Sequence, residues 1–263
     1  HENTVRNDIA GTVESISHIT PELLYECYES FYNPHNMVLT VAGSFEVQTV
    51  LDLVEAYYHK EYPVVDIRRF VPDEPRAPKT SYVEQVLPVS VPMFQIGFKG
   101  LSLGETGNLM AQPADEIILE MIAGDCSPLY RRLYDEGLIN STFGTEVMCG
   151  RDYISLFFSG ESEDPRKVYE EIQKEFTRFC EEEIDRELFE ICKRGVYGRY
   201  LTLFTRPDNI ANVLMLCHFY GVEPYALVDS LAALTTDDLK QRVRQCYDPA
   251  YSALSVVTGG EES

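Results

Sequence analysis

The sequence contains two copies of one unit, at Ser15–Ser44 and at Ser230–Gly260. Each copy has a Thr where a helix would begin, an amphipathic stretch, a Tyr-Asn-Pro or Tyr-Asp-Pro stop and a short apolar run. Identical residue types coincide without a gap at aligned pairs that include Thr20 with Thr235, Leu24 with Leu239, Tyr32 with Tyr247, Pro34 with Pro249, Leu39 with Leu254, and Val41 with Val256. A long-period repeat of this kind predicts a duplicated domain that ends in a helix, a turn and a strand.

The repeat also predicts how the chain divides. The second copy closes a segment that begins near Thr80, whereas 14 residues precede the first copy. We therefore expect residues 1–62 to be the C-terminal part of a first domain that is truncated by about 135 residues, a length that follows from the repeat. Residues 63–80 contain four prolines and form an expected extended linker. Residues 81–263 are expected to form the complete second domain.

Hydrophobic periodicity predicts an α+β fold with an antiparallel sheet packed by helices. A first helix is expected to begin at Thr20 and to end before Asn33. Further helices are predicted at Glu46–Lys60, Gln112–Ala123, Pro128–Glu136, Asp164–Cys180, Asp185–Phe204, Asp208–Tyr220 and Thr236–Cys246. Strands are predicted at Met37–Ala42, Ser81–Leu87, Met93–Phe98, Ser141–Met148, Tyr153–Ser159 and Ala253–Val257. The helix at Asp208–Tyr220 is apolar on nearly all sides, which predicts that it is buried with His218 as a core histidine.

Charge and cysteine usage exclude several classes of protein. The 22 Lys and Arg against 43 Asp and Glu give a net charge of −21. Such a surface repels phosphate backbones, so we expect no nucleic-acid partner. Apolar runs are too short for a membrane span, so we expect no membrane partner either. The seven Cys are scattered and odd in number, which indicates reduced thiols and predicts a cytoplasmic protein.

The histidines form no metal-binding motif. The five His lie at positions 1, 18, 35, 59 and 218, and none has H-E-x-x-H or H-x-x-E-H spacing. A C-x-x-C pair is also absent from the sequence. We therefore expect this chain to contribute no catalytic residue and no metal ligand.

Several segments resemble the zinc metallopeptidases of the insulinase/pitrilysin type, which carry an inverted H-x-x-E-H motif. The first domain contributes Arg6–Ile16, Ile19-Thr20, Phe31–Met37 and Val41–Gly43 to this resemblance. The second domain contributes Gly124–Tyr130, Leu133 and Glu136–Ile139. Within this family, the sequence is most similar to the bacterial, processing-peptidase-like branch. The resemblance implies two duplicated metallopeptidase-like domains, of which the first is truncated here.

The resemblance has consequences for the site residues. In the family, the zinc ligands precede the segment that matches Asp8–Gly11, so no zinc is expected on this chain and the chain alone is predicted to be inactive. Relatives also carry an Arg and a Tyr that bind substrate, before and after the Gly-Leu turn of the second domain. Alignment places Tyr134 at the position of this Arg and Asn140 at the position of the Tyr, with Arg132 shifted nearby. These three residues are the candidate substrate-binding residues.

The implied function is that of a zinc-dependent endopeptidase which degrades or processes oligopeptides. This chain would supply the half of the substrate chamber without the metal, and the acidic surface favours cationic peptides. In the full-length family, zinc held by two His and one Glu activates water, and the motif Glu is the general base. The alternative is a non-catalytic scaffold or a partner subunit of a heterodimeric peptidase. In either case a dimer or heterodimer with a protein of the same family is expected.

Overall fold

A computed structural model describes residues 2–58 and 61–260. The described residues do not include His1, His59 or Lys60. The expected end of the second helix, at Lys60, therefore lies outside them. The chain divides into two compact units. The first is His1–Glu74 with Leu203–Phe219, and the second is Pro75–Thr202 with Tyr220–Ser263. The helix at Asp208–Tyr220, which the sequence places in the second domain, thus groups almost entirely with the first unit.

The described residues form ten α-helices and five strands. The helices are α1 Val13–Ser17, α2 Pro21–Phe31, α3 Val47–Tyr57, α4 Gly104–Ala123, α5 Pro128–Asp135, α6 Pro165–Glu181, α7 Arg186–Thr202, α8 Pro207–Tyr220, α9 Ala226–Ala233 and α10 Thr236–Cys246. The strands are β1 Tyr82–Leu87, β2 Met93–Lys99, β3 Gly144–Cys149, β4 Ile154–Glu161 and β5 Ser252–Gly259. Short 3-10 helices lie at Thr4–Arg6, Pro34–Asn36 and Pro249–Tyr251. The predicted α+β fold is confirmed.

The helix and the turn of the repeat have the same local structure in both copies. Helices α2 and α10 are each 11 residues long, and Thr20 and Thr235 cap them by accepting hydrogen bonds from backbone N–H groups at 3.3 Å. After each helix, a side-chain oxygen of Asn33 or Asp248 accepts from the N–H two residues on, at 3.0 and 2.9 Å. Each of these contacts opens a 3-10 turn. Local side-chain chemistry therefore gives the same result twice.

The predicted strand at Met37–Ala42 is wrong for this chain. Met37 has an extended backbone, but within the described residues the segment belongs to no strand pair. A strand is defined by hydrogen bonds to a neighbour, and the equivalent strand β5 has two neighbours, β1 and β2. The segment remains largely exposed, with Leu39 at 66%. The apolar composition of the segment favours a strand, but composition alone cannot supply a hydrogen-bonding neighbour.

The second unit is built on a five-stranded sheet with the order β1-β5-β2-β4-β3. Strand β5 pairs with β2 antiparallel, β2 with β4 antiparallel, and β4 with β3 antiparallel. Strand β1 pairs with β5 in parallel, so the sheet is mixed at this one edge. Strand β3 forms the opposite edge.

Helices cover one face of this sheet. The side chains that point toward the helices are almost fully buried, and they include Phe94, Ile96, Phe98, Ile154, Leu156 and Phe158. Phe98 stacks on Phe176 of α6 with ring centroids 4.4 Å apart. Side chains alternate along a strand, so the intervening residues lie on the other face. These residues are exposed or half-buried, and they include Val83, Met93, Gln95, Met148 and Phe157. The sheet therefore has one packed face and one open face.

Four helices differ from the sequence predictions. Helix α4 begins at Gly104 rather than at Gln112, and Pro113 lies inside it. The buried amide of Asn108 stabilises the additional turns, because its Oδ1 accepts from the N–H of Leu103 at 2.8 Å. Helix α8 is mostly exposed, and His218 is exposed rather than a core residue. Helix α8 groups with the first unit, which has few buried side chains. Its apolar composition on all sides therefore did not lead to burial. Helices α1 and α9 were not predicted.

Candidate substrate-contact site

Helix α5 carries two of the three candidate residues, and its sequence fixes both of its ends. The Ser127 hydroxyl accepts from the N–H of Tyr130 at 3.1 Å, and Pro128 occupies the first helical position. Leu129 and Leu133 are buried on the inner face. Gly137 ends the helix with a φ of 67°, a conformation that glycine adopts without strain.

The structure places Arg132 and Tyr134 on different sides of α5. The Arg132 guanidinium bonds the carboxylate of Glu171 on α6 at 2.6 Å. Tyr134 is 49% exposed and stacks on Tyr130, with ring centroids 5.9 Å apart. Residues two positions apart on a helix point about 200° apart, so these two side chains do not converge. Arg132 and Tyr134 are therefore not placed to contact the same substrate group.

Asn140 lies in the loop between α5 and β3, where its amide organises the chain. Its Nδ2 donates to Glu161 at 2.9 Å, and its Oδ1 accepts from the N–H and the hydroxyl of Thr142 at 2.8 and 2.6 Å. These contacts tie the loop to the end of β4. Asn140 thus positions the start of β3 and has little bonding capacity left for a ligand.

Strand β3 has an unpaired side, which the sequence predictions missed. The N–H of Gly150 donates to the carbonyl of Tyr153 at 2.9 Å, one step beyond the last pair of the β3–β4 ladder. Hydrogen-bonded and non-hydrogen-bonded pairs alternate in an antiparallel ladder. The backbone groups of Thr145, Val147 and Cys149 therefore point away from β4. No strand of the described residues pairs with this side.

A cleft of about 410 Å³ lies beside this edge, between α4, α7 and β3. Residues 145–147 line it, together with Glu116 and Glu120 of α4 and Arg199 of α7. Cys149 donates to Gln112 of α4 at 3.4 Å, which shows that alternate β3 side chains face α4. The cleft and the unpaired backbone edge are thus adjacent.

Ionic contacts organise the cleft. Arg199 bonds Glu120 at 2.9 Å and lies 3.6 Å from Glu116. The Tyr200 hydroxyl and the Gln112 amide donate to Glu116 at 3.0 and 3.2 Å. Burial raises the pKa of Glu116, and these donors together with Arg199 oppose that rise. The two carboxylates carry more charge than the one guanidinium balances.

The sequence predictions also missed a G-x-S-x-G sequence at Gly100–Gly104. It lies between strand β2 and helix α4, as a nucleophile elbow would. Such an elbow needs a strained serine and an adjacent base. Among the described residues no non-glycine residue has a positive φ. The Ser102 hydroxyl accepts from the Asn108 amide at 2.9 Å, and no described histidine bonds it. We interpret this segment as structural.

The residues described by the structure do not fit a zinc site. Across residues 2–58 and 61–260, no group of three His, Cys, Asp or Glu side chains is placed to hold a metal ion. His18 and His35 lie in the first unit without such a group, and Glu116 and Glu120 are bound by Arg199. In the same part of the chain, no helix combines the length and apolar character that crossing a membrane requires.

Comparison with known proteins agrees with this architecture. The model of a family described as the peptidase M16 inactive domain matches residues 18–196. YmfH, a zinc protease of Bacillus subtilis strain 168, is 30% identical over 249 residues, which are 93% of this chain and 58% of that protein. An M16-like peptidase from Alicyclobacillus acidocaldarius has a TM-score of 0.91 at 28% identity, over 99% of this chain and 63% of that one.

A more distant structure shares the fold alone. A chain of Complex III2 from Candida albicans has a TM-score of 0.73 at 17% identity, over 96% of this chain and 62% of that one. The present sequence thus spans about three-fifths of the length of each of these relatives. The resemblance inferred from the sequence is confirmed: the chain belongs to the peptidase M16 family and matches its inactive domain.

Proposed function

We propose that this chain forms the half of a peptidase substrate chamber that holds no metal. The observation that carries the proposal is the asymmetry of the sheet, which is covered by helices on one face and open on the other. An open face with mixed apolar and polar side chains is suited to line a wall against which an oligopeptide lies. The unpaired edge of β3 adds backbone groups that an extended peptide can pair with.

The division of labour follows from the residues present. Zinc and its ligands, which activate water in the family, would come from polypeptide outside this sequence. This chain would bind and orient the peptide through β3 and the open face. Arg132, Tyr134 and Asn140 would contribute differently from an Arg/Tyr clamp. Tyr134 offers an exposed ring for contact, while Arg132 and Asn140 position α6 and the β3 loop.

A second candidate function is a scaffold or a partner subunit within a dimer or heterodimer of the same family. The exposed apolar side chains of the first unit favour it, because large exposed apolar surfaces mark interaction sites. Leu24, Leu39 and Val47 are examples, each more than half exposed. The fold shared with a chain of Complex III2 is compatible with this alternative.

The test uses the longest open reading frame that contains this sequence. We expect the purified product to bind zinc and to cleave internally quenched oligopeptides. Val147→Pro removes one outward N–H of β3 without removing a bond to β4, and it should lower kcat/KM by about tenfold, the value of one good hydrogen bond. Val147→Thr keeps the N–H and the shape, and it serves as the matched control.

The outcomes separate the two candidates. Cleavage that Val147→Pro lowers and Val147→Thr leaves unchanged supports the chamber wall. Cleavage that neither variant alters would contradict a role for β3 in substrate binding. A product that holds no zinc, cleaves no peptide and copurifies with a second member of the family would support the scaffold or partner subunit instead.

A further inference from the structure

The edge of β3 and the cleft beside it define where the side chains of an added peptide strand would lie. Thr145 and Val147 point their side chains toward α4, on the face where the cleft opens. A strand added to β3 would lie about 4.8 Å away, with every second side chain on this same face. One such side chain would therefore stand over the cleft. The side chains between would point to the open face of the sheet.

The cleft has the charge of a site for a basic side chain. Glu116 and Glu120 are one helical turn apart on α4, and their side chains are 20% and 29% exposed. Arg199 is their single cationic partner among the lining residues. Two carboxylates against one guanidinium leave a net negative charge in a partly desolvated cleft, where electrostatic attraction is stronger than at an open surface.

We propose that β3 binds an extended peptide that carries Lys or Arg, and that this basic side chain enters the cleft and bonds Glu116 and Glu120. The inference rests on the proposed function, because it takes β3 as a peptide-binding edge. It adds a substrate class, namely peptides with a basic residue at the position that faces α4. The cleft of about 410 Å³ accommodates a long side chain alongside Arg199.

Arg199 has a specific role in this arrangement. It bonds the carboxylates that the peptide would use, so it competes with the incoming cation. Arg199→Gln should therefore strengthen the binding of a basic peptide. A purely structural role, in which Arg199 holds α7 on α4, predicts that Arg199→Gln weakens the binding of the peptide. The direction of the change in peptide affinity thus distinguishes an intramolecular competitor from a structural bridge.

The experiment measures peptide binding to the 263-residue chain by fluorescence anisotropy. The probes are labelled extended decapeptides that differ at one central position, which is Lys, Met or Glu. A fourth probe carries the Lys and N-methyl groups on alternate backbone amides, which block strand pairing. We expect the Lys peptide to bind about tenfold more tightly than the Met peptide, the value of one charge-assisted contact, and the Glu peptide to bind most weakly.

Variants locate the effect in the cleft. Glu120→Gln should remove most of the preference for Lys over Met. Glu163→Gln makes the same change of charge at an exposed position outside the cleft, and it should alter neither peptide. Circular dichroism checks that each variant is folded. Higher salt should weaken binding of the Lys peptide more than that of the Met peptide.

The possible results separate this inference from the proposed function. Equal binding of the Lys and Met peptides, together with loss of binding by the N-methylated Lys peptide, would overturn the basic-residue site while supporting β3 as a peptide-binding edge. Binding that N-methylation does not affect, or no binding of any probe, would overturn the peptide-binding edge itself. A Lys preference that Glu120→Gln removes and Arg199→Gln increases would support the site.

Discussion

The buried ion pair between Asp115 of α4 and Arg242 of α10 gives the sharpest test of the architecture. Arg242 donates to both carboxylate oxygens of Asp115 at 3.0 and 2.8 Å. Asp115 is 0% exposed and Arg242 is 8% exposed. The guanidinium also contacts the sulfur of Cys246 at 2.7 Å. The pair therefore connects the repeat helix α10 to α4, the helix that carries Glu116 and Glu120.

The expected cost of breaking the pair follows from its burial. Arg242→Met keeps much of the side-chain volume and leaves the Asp115 carboxylate without its cation. Removing one partner of a buried ion pair typically costs about 3–5 kcal/mol, because an uncompensated charge remains in the interior. The double variant Asp115→Ala with Arg242→Met removes both charges. We expect it to recover at least about 2 kcal/mol of the loss, since no buried charge is left.

The pH dependence supplies a second check on the same variant. Burial raises the pKa of Asp115, and the hydrogen bonds from Arg242 oppose that rise. Without Arg242 the folded-state pKa should rise further above the unfolded value of about 4. A raised folded pKa means that stability is fully present below the unfolded pKa and is lost as pH rises through the folded pKa. Arg242→Met should therefore be far less destabilised near pH 4 than at pH 8.

The assay is urea unfolding followed by circular dichroism for the wild type, both single variants and the double variant. The free energies of unfolding form a double-mutant cycle at each pH. A cost below about 1 kcal/mol for Arg242→Met at pH 8 would refute the reasoning, because a buried unpaired carboxylate cannot be that inexpensive. A cost that is the same at pH 4 and pH 8 would also contradict it, because it would place the loss in packing rather than in the charge.

Two further predictions concern the thiols and the repeat. Iodoacetamide at pH 8 should alkylate the exposed Cys27 and Cys126 before the buried Cys192, because burial raises the pKa of the Cys192 thiol to about 12. Mass spectrometry of the folded chain measures the order of alkylation. Early modification of Cys192 would contradict this prediction. Hydrogen exchange should be slow at Val256 in β5 and fast at Val41 in the unpaired segment; strong protection of Val41 in a dilute monomer would show that this chain pairs the segment by itself.

Local signals explain what could be predicted from the sequence. Thr-Pro before α2 and Ser-Pro before α5 both mark helix starts, and the structure places Thr20 and Ser127 as caps. The alternating apolar residues of β2 and β4 gave strands of nearly the right extent. The chemistry of each of these elements lies within a few residues along the chain. This is why a single sequence suffices to find them.

The features of the candidate site depend on distant parts of the chain instead. That β3 is an edge strand follows from the order of five strands, which no local pattern contains. The contacts of Arg199 with Glu116 and Glu120 join α7 to α4 across about 80 positions. The family resemblance drew attention to Arg132, Tyr134 and Asn140, where the structure shows positioning contacts and one exposed ring. It gave no signal for the cleft, which two Glu one helical turn apart on an apolar helix could have suggested.

The repeat shows where local chemistry stops determining structure. Both copies form the helix and the 3-10 turn, because Thr20, Asn33 and their counterparts bond backbone groups only two or three residues away. The next step differs, since β5 lies between β1 and β2 whereas Met37–Ala42 has no strand beside it among the described residues. Similar sequence therefore gives similar structure as long as the hydrogen-bonding partners lie within a few residues. For Met37–Ala42 to become a strand, a separate source must supply hydrogen-bonding neighbours on the two sides that β1 and β2 occupy in the second unit.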